Sequence, residues 1–444
     1  MEQKTVSFYT LGCKVNQYET NAMAQKFANS GYKVVHGEEK TDIAIVNTCT
    51  VTNMSDRKSR QIFRRIKKLS PETVVVAVGC YVQVAKEKIE AIPEIDLVLG
   101  NNEKKDIVEY IETYLKEKNK LNKVSDVMYQ KHFIDFGTIT YTEKTRAAIK
   151  IQDGCDRFCS YCIIPYARGR VRSRKPESII EEVNKIVNEG IQEIVITGIH
   201  VASYGKDFKE NYRLIDLLED LNKVEGLKRI RLSSIEPMIM TDEFIERLSK
   251  LDKICHHFHL SLQSGCDETL KRMNRRYTTA EFMEVVKRIR EKYEDANLTT
   301  DVIVGFPGET DAEFEKTYNF LKEVKFYKMH VFKYSQREGT KAALMLDQVD
   351  GNIKEQRSQK LIELSNKNQR DYNKQYIGKE VEVLFEEKEG NNYKGHTGNY
   401  IMVKYETDED LGTSPKKLEN RIKTVKAIEA QDDYLIAKFD KKIT

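Results

Sequence analysis

The chain has 444 residues, 32% charged and 40% hydrophobic, with 7 prolines and a formal net charge of +4. That length suits two or three globular domains. The lack of any apolar run near 18 residues argues against a membrane span, and a start without an apolar h-region argues against secretion. The expected compartment is the cytoplasm, where eight cysteines serve as metal ligands, catalytic thiols or core residues rather than as disulfides. A charge this close to balance leaves any polyanion-binding surface to local clusters.

Residues 1–120 alternate strands and helices. Strands are predicted over 6–11, 42–47, 73–78 and 96–99, with helices over 19–30, 54–69, 85–91 and 105–118. The helix at 54–69 is basic: Arg57, Lys58, Arg60, Arg64, Arg65, Lys67 and Lys68 occur with no acid among them. Such alternation implies a parallel sheet with right-handed crossovers. Cys13, Cys49 and Cys80 each fall one to three residues beyond a predicted strand. In an open parallel sheet those ends share one edge, where ligands bind, so the three thiols are expected to converge. The competing reading is three unrelated buried cysteines.

Residues 121–145 read as a polar connector. A longer alternation then occupies 146–376. Strands are predicted over 147–152, 193–197, 229–233, 257–262, 298–304 and 330–334. Helices fall over 177–188, 213–223, 242–251, 267–273, 279–293 and 311–324, and 354–376 leads out. Six strand–helix repeats are too few for a closed eightfold barrel and fit an open partial one. The first strand runs into Cys155-Asp-Arg-Phe-Cys159-Ser-Tyr-Cys162. An ordinary 4Fe–4S cluster takes four thiolates; three leave one iron with open positions. A zinc knuckle or three plain thiols is the alternative, but no second Cys pair or His pair follows at zinc spacing. Arg168, Arg170, Arg172, Arg174 and Lys175 come next, again without an acid.

Residues 377–444 change character. Predicted strands at 381–386, 400–405, 423–429 and 434–439, with turns at Gly390-Asn391-Asn392 and Asp432-Asp433, imply a small all-β barrel. Such barrels often bind nucleic acid. His256, His257 and His259 invite a metal reading, but His257 and His259 share a strand face that His256 leaves, so ordinary roles are expected. Cys255 and Cys266 lack partner spacing and read as buried thiols.

With both cysteine sets placed, the chain resembles the radical S-adenosylmethionine methylthiotransferases over its whole length. The motifs are Leu11-Gly-Cys13-Lys-Val-Asn16-Gln, Asn47-Thr-Cys49-Thr-Val-Thr, Val78-Gly-Cys80 and the run from Gly154 to Arg174 with Tyr161 before its last cysteine. Ser233-Ser-Ile-Glu236-Pro, His259-Leu-Ser-Leu-Gln263-Ser-Gly, Gly305-Phe-Pro-Gly-Glu309 and Tyr334-Ser-Gln-Arg337-Glu-Gly follow in order. Gly-Cys-Lys-Val-Asn-Gln resembles the branch acting on N6-threonylcarbamoyladenosine at tRNA position 37. The chain departs from the usual family pattern at Lys333, where Pro is common, and at His200, where Asn is common.

The resemblance implies an N-terminal methylthiotransferase domain, a central partial (β/α)6 barrel and a C-terminal TRAM-like, RNA-binding barrel. It implies two 4Fe–4S clusters. Cys155, Cys159 and Cys162 would hold the one that cleaves S-adenosylmethionine to a 5′-deoxyadenosyl radical. Cys13, Cys49 and Cys80 would hold an auxiliary one carrying the sulfur. A second S-adenosylmethionine would donate the methyl group. Tyr161, Gly198, Ser234, Glu236, Gln263, Arg275, Val304 and Tyr334 are the candidate cofactor contacts. Arg168, Arg170, Arg172, Arg174, Arg64 and Arg65 are candidates for phosphates of a tRNA anticodon stem-loop, and Tyr166, Tyr393 and Tyr400 for base stacking. A flavodoxin or ferredoxin is the expected electron donor. The rival readings are another tRNA adenosine, a ribosomal-protein residue, sulfur insertion without methylation, or an RNA-binding iron–sulfur sensor.

Overall fold

A computed structural model describes residues 3–35, 40–140, 145–390, 392–406 and 418–439. The first unit contains β1 (Thr5–Thr10), α1 (Lys14–Asn29), β2 (Lys33–Val35), β3 (Ile43–Thr48), α2 (Asn53–Leu69) and β4 (Val74–Gly79). It continues with α3 (Cys80–Val84), α4 (Lys86–Glu90), β5 (Leu97–Leu99), α5 (Ile107–Glu117) and β6 (Leu121–Lys123). The six strands form one parallel sheet in the order β2-β1-β3-β4-β5-β6. Every residue of β3 and β4 is buried, as a parallel sheet covered on both faces requires. β2 and β6 correct the sequence reading, which had no strand at 33–35 and a connector from 121. Both are three-residue edge strands, where partly exposed polar residues are tolerated and the alternation is too short to see. Residues 141–144 of the expected connector lie outside the described residues.

The central unit runs β7 (Arg146–Asp153), α6 (Ile164–Arg168), β8 (Arg172–Ser173), α7 (Pro176–Asn188), β9 (Glu193–Gly198), α8 (Leu214–Asn222) and β10 (Arg229–Leu232). It continues through α9 (Asp242–Leu248), β11 (His257–His259), α10 (Asp267–Arg272), α11 (Thr279–Lys292), β12 (Asn297–Val304), α12 (Asp311–Val324), β13 (Lys328–Lys333) and α13 (Gly351–Lys374). Strands β10-β9-β7-β8 and β11-β12-β13 form two arcs. Single bridges, Ile230 to Ile254 and Ile235 to Leu260, connect them. The six parallel strands are those expected from sequence. Capping boxes at Thr278/Glu281 and Thr310/Glu313 start α11 and α12 by satisfying orphan helix N–H groups.

The third unit is a closed barrel, β14 (Glu380–Glu389), β15 (Asn392–Thr397), β16 (Met402–Glu406), β17 (Arg421–Ala430) and β18 (Tyr434–Lys438), ordered β14-β15-β16-β18-β17. β15 was not expected. Its central Gly395 lies against the backbone of β14, where a Cβ would come within 2.1 Å of Leu384 O. Asn391 of the expected turn lies outside the described residues. No helix among the described residues is long and apolar enough to cross a membrane.

Candidate active site

Chain order and sheet order diverge between β1 and β3, because the chain passes to β2 on one side and to β3 on the other. A crevice at the C-terminal strand ends is expected at such a switch point. Cys13 caps α1 just beyond β1, Cys49 follows β3 directly, and Cys80 opens α3 just after β4. Gly12 (φ +102°) brings its loop against Cys49; a Cβ there would sit 2.7 Å from Cys49 Sγ. Gly79 (φ +103°) passes Thr48 so closely that a Cβ would meet its carbonyl at 2.5 Å. Both turns need glycine. Asn16 donates to the carbonyls of Leu11 (2.7 Å) and Thr48 (3.0 Å), tying α1 to both strand ends.

The second trio sits on the loop after β7. Gly154 (φ +74°) presses on Arg170, whose carbonyl a Cβ would reach at 1.8 Å. Cys155 N donates to Gly169 O at 3.0 Å, so the loop folds back on itself. Arg275 Nη1 lies 3.4 Å from Cys159 Sγ. Burial pushes the Cys49 and Cys155 thiols up to about 11 and Cys162 up to about 12. Cys13 is exposed as a residue, yet desolvation is the main influence raising its thiol, and it also feels Cys80. Thiols held this high ionise when a cationic centre binds them.

Arg168 connects the two trios. It lies six residues after Cys162, and its Nε donates to Cys80 Sγ at 3.1 Å. Its other nitrogens reach Asn16 Oδ1 (2.6 Å) and both oxygens of Glu19, one at 3.1 Å and the other closer. Glu19 also receives Lys104 (2.5 Å) and Lys150 (2.7 Å), and Lys150 reaches Asp153 at 2.6 Å. Burial opposes the Glu19 charge, but Arg168 and the two lysines together hold its carboxyl well below the usual range. Arg337 makes a second clasp, with Asn53 Oδ1 at 2.6 Å, Asp56 Oδ2 at 2.9 Å and the Thr50 hydroxyl. The sequence reading missed Glu19, Lys104, Asp153 and this role of Arg337. The one legible signal was Lys150, a lysine inside an apolar strand.

Three phosphate candidates are therefore corrected. Arg168 and Arg174 are 1% exposed and Arg172 2%. Arg174 is held by Glu182, Asp135 and the Tyr18 hydroxyl; Arg172 donates to Arg168 O at 2.7 Å. Unpaired buried guanidinium groups are costly, and acids on neighbouring elements, Glu19, Asp153 and Glu182, turned these side chains inward. Arg170, Arg64 and Arg65 remain on the surface. Tyr393 is core, packed on Phe385. Tyr400 stacks on His257 and His396 and touches Arg231 and Arg146, so neither is free for a base. Tyr166 is exposed.

Among cofactor candidates, Tyr161 faces Phe306 edge-on at 6.4 Å. Glu236 accepts from His200 Nε2 at 2.5 Å and pairs with Arg157 at 2.7 Å. Burial raises its carboxyl, but the His200 hydrogen bond and nearby cations bring it to about 2. Gln263 has φ +71°, a rare conformation that clusters at functional sites. Gly198 ends β9 against Gln152, and Ser234 is exposed. Arg275 is occupied with Cys159, Ser261 O (3.0 Å) and Tyr277 OH (3.0 Å), and so holds the loop instead of waiting for a carboxylate. The Val304 side chain is core. Tyr334 is buried against Phe306, with its hydroxyl unpartnered.

Do the trios fit iron–sulfur cores? A single zinc with sulfur at about 2.3 Å would draw thiolates to about 3.8 Å of each other. Among the described residues the one group of three ligand atoms within 4.8 Å of one another is His259, Asp301 and His330. Neither cysteine trio is that tight, yet the thiols within each influence one another, Cys49 feeling Cys80 and Cys13, and Cys162 feeling Cys159 and Cys155, so the donor set fits a core larger than one ion.

Residues 149–321 match the Radical SAM superfamily and residues 5–100 the uncharacterized protein family UPF0004. Threonylcarbamoyladenosine tRNA methylthiotransferase MtaB of Bacillus subtilis is 45% identical over 413 residues, 92% of this chain and 91% of the relative. The Aquifex aeolicus protein of that name is 40% identical, covering 92% and 98%. A tRNA-2-methylthio-N(6)-dimethylallyladenosine synthase of Clostridium botulinum is 35% identical, covering 94% of each. Among solved structures, the radical S-adenosylmethionine methyltransferase TsrM of Kitasatospora setae shares the fold, with TM-score 0.57 at 15% identity over 74% of this chain and 73% of that one.

Proposed function

The chain belongs to the radical S-adenosylmethionine methylthiotransferase family, and from that membership we infer that it methylthiolates carbon 2 of N6-threonylcarbamoyladenosine at position 37 of tRNA. Relatives named for that activity, at 38–45% identity over about nine-tenths of the chain, support the substrate. The single structural observation that carries the chemistry is Arg168, which follows one cysteine trio and donates to a sulfur of the other.

Cys155, Cys159 and Cys162 would hold the radical cluster, and Cys13, Cys49 and Cys80 an auxiliary one. With S-adenosylmethionine, such clusters supply radical and methyl-transfer chemistry that acid–base groups cannot bring to an aromatic C–H bond. The protein's own residues do the rest. Asn16, Gly12 and Gly79 set the auxiliary thiols. Arg275 positions the Cys159 loop. Tyr161, Phe306 and Tyr334 make an apolar wall beside the radical trio, which keeps water from reactive species. Gly198, Ser234, Gln263 and the Glu236–His200 pair face S-adenosylmethionine. Arg64 and Arg65 on α2, with Arg170, meet RNA phosphates. On family resemblance alone, the reductant is a flavodoxin or ferredoxin, and the compartment is the cytoplasm, where the substrate is.

Anaerobically reconstituted protein should carry about eight irons, falling to about four when Cys13, Cys49 and Cys80 are all changed to Ala. The intact protein should add a methylthio group to an anticodon stem-loop bearing threonylcarbamoyladenosine, read by nucleoside mass spectrometry. If the RNA returns unchanged while S-adenosylmethionine is cleaved, the substrate reading fails; if the triple variant keeps all its iron, the auxiliary site fails.

A further inference from the structure

A cavity of about 570 Å³ lies on the inner side of the strands β10 to β13. All three units wall it. The first contributes Lys14, the residue after Cys13. The central unit contributes Ser234, the strand residues His257 and His259, Thr299 and Asp301, and Lys328 and His330. The C-terminal barrel closes it with His396, Tyr400 and Met402. Two residues beyond Ser234 lies Glu236, paired with Arg157 between the radical cysteines. Lys14 and Ser234 thus bring one end of the cavity within one residue of Cys13 and two of Glu236, while Lys328 and His257 lie at the start of their strands, deeper in and away from the cysteine loops. A base presented to them would project its far edge inward.

We propose that this cavity receives the N6 substituent of the substrate adenosine, and that Lys328 and His330 bind its carboxylate. The proposal rests on the function inferred above and deepens it. Threonine joined through a carbamoyl group keeps a free carboxylate, an amide and a hydroxyl; an isopentenyl substituent offers none of these. The walls suit the former. The side chains of Lys328 and His330 make no ion pair or hydrogen bond with a described residue; His330 has a ring contact with His259 at 5.7 Å and a ring nitrogen within 4.8 Å of the Asp301 carboxylate.

The deeper wall is an ordered relay. His257 Nε2 and His259 Nδ1 both lie 3.0 Å from Thr299 Oγ1, and one hydroxyl donates only once. His259 Nε2 faces Asp301 at 3.3 Å, which favours a proton on that nitrogen. His259 Nδ1 then accepts from Thr299, and Thr299 from His257. That leaves His257 Nδ1, buried and without a partner, as an acceptor for the substituent's hydroxyl or amide. Burying an isopentenyl group over these polar atoms would strand them, which is unfavourable.

His259, Asp301 and His330 also approach the spacing of a divalent-cation site. Lys14 and Lys328 share the cavity with Asp301 and Asp433, so its formal charges balance, and the side that suits an anion is the one where Lys328 and His330 stand two residues apart on β13.

The test uses reconstituted protein and three stem-loops differing only at position 37: threonylcarbamoyladenosine, its methyl ester, and isopentenyladenosine. Fluorescence anisotropy gives affinity, and single turnovers give the methylthiolation rate. The acid should exceed the ester about ten- to a hundredfold in kcat/KM, the range of one charge-assisted contact, with isopentenyladenosine worse still. Lys328→Met and His330→Phe should each lower affinity for the acid about tenfold and leave the ester unchanged, and Lys328→Arg should restore part of the preference. Equal handling of acid and ester by the wild type would overturn the proposal without any variant. So would an undiminished preference in both variants, or a stoichiometric non-iron metal lost on changing His330. Product from all three RNAs without discrimination sinks this inference alone; product from none sinks the broader function with it.

Discussion

Glu19 accepts Arg168, Lys104 and Lys150 in a space that solvent does not reach. Changing it to Gln leaves Lys104 without a carboxylate, and leaves Lys150 and Arg168 to share Asp153. Removing one member of such a buried group destabilises by about 3–5 kcal/mol. We expect Glu19→Gln to lower the melting temperature of the anaerobic protein and to cut auxiliary iron, because Arg168 then loses the anchor that aims it at Cys80. Gly12 tests the other side of the same pocket. Its φ of +102° and the 2.7 Å approach to Cys49 leave no room for a methyl group. Gly12→Ala should lose about four irons while the radical cluster stays, a difference that Mössbauer or electron paramagnetic resonance spectra would resolve. If it keeps its full iron content, the loop does not set that site. At this scale the cysteines were legible in sequence, since their spacing and their place after strands are local properties. Glu19 was not, because an acid at the predicted start of a helix reads as an ordinary first-turn residue, whereas the helix begins at Lys14 and buries it.

Helix α2 shows how far periodicity reaches. Thr52 caps it by accepting from Ser55 N, and only Ser59, Phe63 and Ile66 are buried, so its basic face points to solvent as the pattern implied. Arg64 keeps only a 3.9 Å approach to Glu94. Reversing Arg64 and Arg65 to Glu should leave the melting curve within about 0.5 kcal/mol of the parent. It should weaken tRNA binding and flatten the slope of log affinity against log salt by about 1.5–2. An unchanged salt slope would remove α2 from the RNA interface. The run from Arg168 to Arg174 is the contrary case. Its charge is as dense, yet three of its four arginines point inward. Sign and density are written along the chain, but the direction of each side chain is set by acids on α1, β7 and α7. β2, β6 and β15 escaped the sequence reading for a related reason, since short or edge strands owe their existence to a neighbour and not to their own alternation.

The three units meet through arginine. Arg229 reaches Glu382 at 2.9 Å and His396 O at 3.1 Å, and Arg231 reaches Gly398 O at 3.0 Å. Arg146 pairs with Glu386 at 2.9 Å. Behind them Glu193, fully buried, faces Arg231, Arg229 and Arg146. Arg231→Met should free the C-terminal barrel from the centre, visible as faster proteolytic release of a fragment near residue 378 with the central unit still folded. Resistance equal to the parent would mean that the other two arginines suffice. Because the barrel closes the cavity, the same variant should also lose affinity for modified RNA. The three-unit order, the partial barrel and the two sulfur sets could all be read from the chain, since strand and helix periods, cap residues and ligand spacings act over a few to a few tens of residues. Which charges are buried, and that one cavity draws walls from all three units, came from the folded molecule alone. Glu19 and Arg168 stand 149 residues apart, and the desolvation each suffers is offset by the other together with Lys104, Lys150 and Asp153, a balance that no local stretch of sequence contains.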